Sequence, residues 1–387
     1  MKIALVHGKM IKDGNLTGAG VSIYNLSEQF RKYHHKVTVI SPDKIKDMFT
    51  KNYANIAYIP FGRLESLNPI KILRNFIEAF SLANYYYKTS RGLDKKYFDI
   101  IDNQGFWIDN QEVLTIRYLI SLYLKYTKNK TLKQKLLWFL DARMRLLLAI
   151  EKRYMLLNKF KLIIVNCSRT KEYLTKEYGI NPLQIQVLSN GFSSKISKDN
   201  INKFRKEIRM RHNINKETVI TFAGLNGKRK NLNIYLNIIR QFSECKGFLI
   251  GIKKDEILKI SKTIPNNLEV IEYSAEIQKY LSASDILIHP TIYDEDPKIV
   301  LEAMACKCCV LTTKNGGSED TIKNRITGFI LPCREKSFTN ILKILLKNKS
   351  EVKKIGLMAS KSVKNRSWKK IAQKRLNLYK NLNIKRK

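Results

Sequence analysis

The chain has 387 residues, enough for two or three domains, most simply two of about 190 each. Hydrophobic residues make up 44% and charged residues 27%, a globular mixture that excludes wholesale disorder, collagen-like repeats and a disulfide framework. Lys and Arg total 72 against 33 Asp and Glu, a net charge of +39, so the expected partner is anionic: nucleic acid, an acidic membrane surface or a phosphorylated ligand.

The chain opens on Ile3-Ala4-Leu5-Val6, a run too short for a signal-peptide core and read as a buried strand. No apolar run reaches the ~18–20 residues that a membrane span needs. Six irregularly spaced cysteines fit reduced thiols, and the expected location is the cytoplasm. Next comes Gly18-Ala19-Gly20-Val21-Ser22, where a helix pattern begins; backbone N–H groups there can approach an anion or a sugar. A plain helix-start turn explains the same glycines. Further apolar runs follow at Val37–Ser41, Ile56–Pro60, Asp99–Asp102, Leu162–Cys167 and Ile185–Leu188. Between them, residues 68–92 and 113–161 read as helical, apolar and basic insertions. The second runs from Arg117 to Lys161 with few acids and carries an apolar stripe of Leu136, Leu137, Leu140, Met144, Leu147 and Leu148. A basic amphipathic helix of this kind can lie on an anionic leaflet; a solvated lysine face over an ordinary core stripe is the plainer alternative.

Residues 193–205 are polar and lack an apolar period, so the interdomain linker is placed at 194–205, after a first domain at 1–193. A second set of runs follows at Val219–Ala223, Phe248–Ile252, Leu268–Glu272, Ile286–Pro290, Cys309–Thr312 and Gly328–Leu331, giving a second domain at 206–365. Short continuous apolar runs alternating with helical segments predict parallel sheets covered on both faces, here two α/β domains of about six strands each. The basic tail, 366–387, has Trp368, Ile371, Leu376 and Tyr379 at helical spacing and is expected to dock back on the first domain.

Chemistry concentrates in the second half. Directly after the run Val219–Ala223 come Asn226 and then Lys228, Arg229 and Lys230, three adjacent cations at the carboxyl end of a parallel strand, where open α/β sheets bind ligands. Helix dipole, backbone amides and cationic heads together suit a diphosphate. Residues 285–304 then give a strand ending at His289-Pro290, a carboxylate-bearing loop and a helix, with Asp294 and Glu302 eight positions apart. Asn315-Gly316-Gly317 forms another tight loop. Cys306, Cys308 and Cys309 cluster without a second ligand pair, so no metal site is expected.

These segments resemble the GT-B glycosyltransferases of the family 4 type, the group 1 glycosyl transferases. The resemblance rests on FAGLNGKRKNL, on HPTIYDEDPKIVLEAMAC with its E-x7-E-like pair, on NGGSEDTIKNRITGFIL, and more loosely on GAGVSIYNLSEQF, Asp99-Ile100-Ile101 and Leu188–Phe192. It implies two Rossmann-like doubly wound domains facing across a cleft. It implies transfer of a sugar, with retention, from a nucleotide diphosphate sugar to a glycan or lipid-linked saccharide, as in lipopolysaccharide or capsule synthesis, with neither metal nor cofactor. By the same resemblance Arg229 and Lys230 hold the diphosphate and stabilise the leaving group, Asp294 faces the donor sugar, and Glu302 binds the ribose. Gly18, Gly20, Asn226 and the amides of Ile299 and Val300 complete the donor set, and Gln104 and His289 contact the sugar or acceptor.

Four positions depart from the family pattern. Asp294 stands for Glu, Gln104 for a histidine, and Asn231 and Lys307 for glycines. The expected partners are the donor, the acceptor and an anionic membrane surface at the inner face of the cytoplasmic membrane, without nucleic acid, since no helix-turn-helix, zinc finger or aromatic platform is evident. A catalytically idle partner subunit and a nucleic-acid-binding protein are the rival readings.

Overall fold

The computed structural model describes residues 1–8, 10–12, 15–41, 56–58, 83, 84, 87, 93, 95–109, 111–127, 141–192, 198–315 and 317–384. The chain divides into two compact units: unit 1 is Met1–Gly191 with Trp368–Lys387, and unit 2 is Phe192–Ser367.

Unit 1 is built on β1 (Lys2–Val6), β4 (Lys36–Ser41), β5 (Ile56–Tyr58), β6 (Ile100–Asn103), β7 (Val113–Ile116), β8 (Leu162–Val165) and β9 (Ile185–Val187), with a two-stranded hairpin of β2 (Ile11–Lys12) and β3 (Asn15–Leu16) beside them. The large sheet has the order β5-β4-β1-β6-β7-β8-β9 and is parallel throughout. Its strands are continuous apolar runs because helices cover both faces; β7 and β8 are buried at every position. The strand β7 corrects the reading of 113–161 as wholly helical. Val-Leu-Thr-Ile is short, β-branched and apolar, but it leads straight into basic helical sequence that masks its period. The helices Ile120–Tyr126 and Ala142–Leu157 follow it, whereas Leu136, Leu137, Leu140 and most of 68–92 lie outside the described residues.

Unit 2 contains β10 (Val219–Ala223), β11 (Lys246–Ile250), β12 (Leu268–Ile271), β13 (Ile286–His289), β14 (Cys309–Thr313) and β15 (Phe329–Leu331). Their order is β12-β11-β10-β13-β14-β15, again all parallel. The expected linker at 194–205 is corrected here as well, because Lys198–Arg211 is a helix. It buries Ile201 and Ile208, and from its inner side Arg205 and Arg209 reach Asp285 at 2.6 and 2.7 Å. A window that ends at 205 holds only the first half of that helix, too short to show its apolar period.

The helix Trp368–Ile384 belongs to unit 1 and buries Trp368, Ile371, Leu376 and Tyr379 in the cluster that holds Ile3, Leu5 and Phe30. It also delivers charge to the sheet. Asp102, on β6 and wholly buried, accepts from Arg375 at 2.6 Å, from Thr115 on β7 at 2.7 Å, and from the hydroxyl of Tyr379. Removing one partner of such a pair strands the other charge in a low-dielectric core. Arg375→Met should therefore lower the urea-unfolding free energy of unit 1 by about 3–5 kcal/mol, and adding Asp102→Asn should recover much of that loss.

Candidate active site

In unit 2 the strand order reverses between β10 and β13, and the crevice outside the carboxyl ends of strands at such a reversal is where open α/β sheets take ligands. Three loops meet there: 224–231 after β10, 290–297 after β13, and the segment after β14 that holds Asn315 and Gly317. Their hydrogen bonds lace them into one structure. Ile292 N donates to Arg229 O at 3.0 Å, Asp294 N to Asn315 O at 3.3 Å, and Asn315 Nδ2 to the carbonyl of Thr291 at 2.5 Å. Gly317 has no side chain because a Cβ there would lie 1.9 Å from the carbonyl oxygen of Glu295.

The first loop presents two cations. Asn226, at φ +66°, accepts the Arg229 N–H on its side chain at 3.1 Å and the Lys230 N–H on its carbonyl at 3.2 Å, so its part is to shape the turn. Asn231 and Lys307, the two residues that stand for glycine, hold φ of +56° and +65°, so the backbone keeps the left-handed form that glycine adopts freely. Lys230 is 6% exposed. Its stem folds back over Gly224, where a Cβ would sit 2.5 Å from Lys230 Cε. From there Nζ lies 3.2 Å from Asp294 Oδ2, and Arg229 Nη1 lies 3.4 Å from the same oxygen while donating to Tyr293 O at 2.6 Å.

Burial alone would raise the Asp294 carboxyl, but Lys230, His289 and Arg229 outweigh it and hold the group well below the usual carboxylate range. Burial pushes the Lys230 ammonium down, with Asp294 pulling it back. His289 lies 3.8 Å from Asp294 Oδ2 and is pushed down to about 4, by burial first and by Lys230 next, so it is neutral at physiological pH. At Asp294 itself, two cations share one carboxylate.

Glu302 has the opposite environment. It sits in the second turn of the helix Lys298–Ala305, half-buried, and among the described residues nothing hydrogen-bonds its carboxylate. Burial raises it to about 7, against a weaker downward pull from Lys298. A half-buried carboxylate that nothing among the described residues hydrogen-bonds, raised to about 7, is the kind of group found at binding sites.

The structure thus brings Arg229, Lys230, Asp294 and His289 together, with Asn226 shaping their loop, and it revises several expected contacts. His289 is fully buried behind Asp294 and presents no surface to a sugar. The Val300 amide donates to Pro297 O at 3.0 Å, while Ile299 stands beside it in the first helical turn. In unit 1 the helix Gly18–Lys32 begins at the glycine loop as expected, but the Gly20 amide is taken by the Thr17 hydroxyl at 3.1 Å. Gly18 is exposed, with nothing within 4 Å of where a Cβ would be. Gln104 is wholly buried: its Nε2 donates to Asp102 at 2.6 Å, and its Oε1 accepts from Arg117 at 2.6 and 3.0 Å. Arg117 was not singled out by the sequence because it reads as one more cation of a basic insertion. It stands directly after β7 at the carboxyl edge of the sheet, held also by Asn190 Oδ1 at 3.0 Å.

Comparison with known proteins agrees with this architecture. Residues 16–195 match the family model described as Glycosyltransferase Family 4, and residues 204–362 match that described as Glycosyl transferases group 1. No curated protein sequence matches the chain. Among solved structures, Anabaena Alr3699/HepE in complex with UDP and glucose is 15% identical with a TM-score of 0.71, covering 98% of this chain and 100% of that one. Sucrose-phosphate synthase from Thermosynechococcus elongatus is 16% identical with a TM-score of 0.78, covering 98% of each chain. WaaG, a glycosyltransferase involved in lipopolysaccharide biosynthesis, is 16% identical with a TM-score of 0.76, covering 97% of this chain and 99% of that one. With both halves matched and the GT-B fold shared, the chain belongs to the group 1, family 4 glycosyltransferases.

Proposed function

We propose that the protein transfers a sugar from a nucleotide diphosphate sugar to a saccharide acceptor with retained anomeric configuration. The observation that carries this reading is the convergence of Arg229 and Lys230 on Asp294 at the switch point of unit 2. A departing nucleoside diphosphate gains negative charge, and two fixed cations stabilise it without reorganising. Asp294 keeps both cations aimed before the donor arrives and, at the rim of the cluster, faces the donor sugar. Glu302 supplies an acceptor for ribose hydroxyls, and the first turn of its helix adds its dipole and the Ile299 amide for phosphate. The side chains and the helix start together supply this chemistry, and the reading includes neither metal nor cofactor. HepE, described in complex with UDP-glucose, supports a sugar-nucleotide donor. WaaG's part in lipopolysaccharide biosynthesis supports a glycan or lipid-linked acceptor in surface-polymer synthesis.

The same reading places the protein on the inner face of the cytoplasmic membrane. Among the described residues no helix is long and apolar enough to cross a membrane. The helix Ala142–Leu157 instead ends in Leu156 and Leu157, 80% and 44% exposed, among the exposed Lys152, Arg153, Lys159 and Lys161. Each basic residue near an anionic leaflet contributes about 1 kcal/mol. Leu156→Asp with Lys152→Glu should therefore release the protein from phosphatidylglycerol vesicles in co-sedimentation; retention equal to wild type would refute this placement.

The donor site is tested with UDP-, GDP- and ADP-sugars, scored by thermal stabilisation, hydrolysis and the anomeric configuration of the product by NMR. Lys230→Ala should lower kcat by about 10²–10³-fold, the usual cost of losing one charge-stabilising donor. Gly224→Ala should do much the same by displacing the Lys230 stem. Full activity in both, or an inverted product, would overturn the proposal. Glu302 gives a pH test. Its folded-state pKa lies above the ordinary 4.5, so ionisation destabilises the fold; that cost is absent below about pH 4.5 and complete above about 7. Glu302→Gln should therefore raise the melting temperature at pH 8, leave it nearly unchanged at pH 4, and weaken donor binding.

A further inference from the structure

Unit 1 has a switch point of its own. The order turns from β1-β4-β5 on one side to β6-β7-β8-β9 on the other, and β1 and β6 run in register to Val6 opposite Asn103. The loops leaving them are His7-Gly8 and Gln104–Trp107. Gln104 faces inward, and what stands at the edge is the indole of Trp107.

Both loops are shaped around that ring. A Cβ at Gly8 would lie 2.4 Å from Trp107 Cζ2, and one at Gly105, where φ is +131°, would lie 2.5 Å from Nε1. The Trp107 N–H donates to Asn103 Oδ1 at 3.2 Å, and Nε1–H donates to the Gln104 carbonyl at 3.3 Å. The His7 ring meets the indole edge-on, with centroids 5.8 Å apart. Part of the indole packs on the cluster of Ala4, Val6 and Ile101, yet the residue as a whole is only half-buried. A large aromatic fixed this firmly and left partly open, at the place where such sheets take ligands, is placed to meet one.

We propose that Trp107 is the acceptor-specificity residue of unit 1, a stacking surface for the apolar face of a pyranose ring. This rests on the sugar-transfer reading above. Because Nε1–H is already committed to Gln104, the indole offers carbon surface and not a hydrogen bond, which suits the C–H face of a sugar better than its hydroxyl edge. Specificity then follows from which epimers present an unbroken C–H face.

The test uses the full chain labelled with 5-fluorotryptophan and, as probes, the methyl glycosides of glucose, galactose, mannose and N-acetylglucosamine. At least one glycoside should shift the Trp107 fluorine signal, assigned by its loss in Trp107→Phe, while the other two indoles stay put. With that glycoside as acceptor, Trp107→Ala should raise the acceptor KM by about tenfold and leave the donor KM unmoved, and Trp107→Phe should restore most of the difference. A Trp107 signal unmoved by every glycoside, or an acceptor KM within about twofold of wild type in Trp107→Ala, overturns the proposal. Failure of the transfer reading shows separately, as wild-type protein that hydrolyses no sugar nucleotide, because the fluorine shift needs no donor.

Discussion

An ammonium group taken out of water must be paired or it is not tolerated, and the carboxyl edge of unit 2 is organised around that constraint at Lys230. Its stem needs the bare backbone of Gly224, its head needs Asp294, and Asp294 needs the loop after β14 to fix its own backbone. Arg229 closes the arrangement by donating to Tyr293 O while its carbonyl receives Ile292 N–H. The three loops therefore hold one another in place, and the two cations are fixed in position by the fold itself.

Two carboxylates eight residues apart are driven in opposite directions by their surroundings. Asp294 is crowded by cations and stays ionised, while Glu302 is desolvated with little to offset the cost and titrates near neutrality. Environment assigns the roles here, as it does wherever one protein uses chemically similar acids for different tasks. Asp294 acts as a permanent counter-charge to Arg229 and Lys230, whereas among the described residues nothing hydrogen-bonds the Glu302 carboxylate.

Much of this was legible in the sequence because it follows from local pattern. Continuous β-branched runs mark the strands, and the cations after Ala223 and the carboxylates after Pro290 lie at strand ends, so a parallel sheet must gather them on one edge. What escaped depends on distance along the chain. The commitment of Gln104 to Asp102 and Arg117, and of Asp102 in turn to Arg375, joins residues as far as 273 positions apart. No periodicity announces such a pairing. The amides of Gly20 and Val300 were misjudged for the opposite reason: each is taken by a neighbour three residues back, a detail of turn geometry finer than residue type reveals. Where the family places glycine, Asn231 and Lys307 keep the left-handed backbone, so two apparent departures alter side chains and leave the local path of the chain intact.

The placement of Trp368–Ile384 in unit 1 carries a consequence for how the molecule is made. The first core is sealed by residues that are made only after the whole of Phe192–Ser367 has been synthesised. Unit 2 is contiguous and can fold as soon as it emerges. Until Trp368–Ile384 arrives, the earlier half waits with Asp102 lacking its arginine and Ile3, Leu5 and Phe30 incompletely covered. The half made first thus depends for its completed core on a segment made after unit 2.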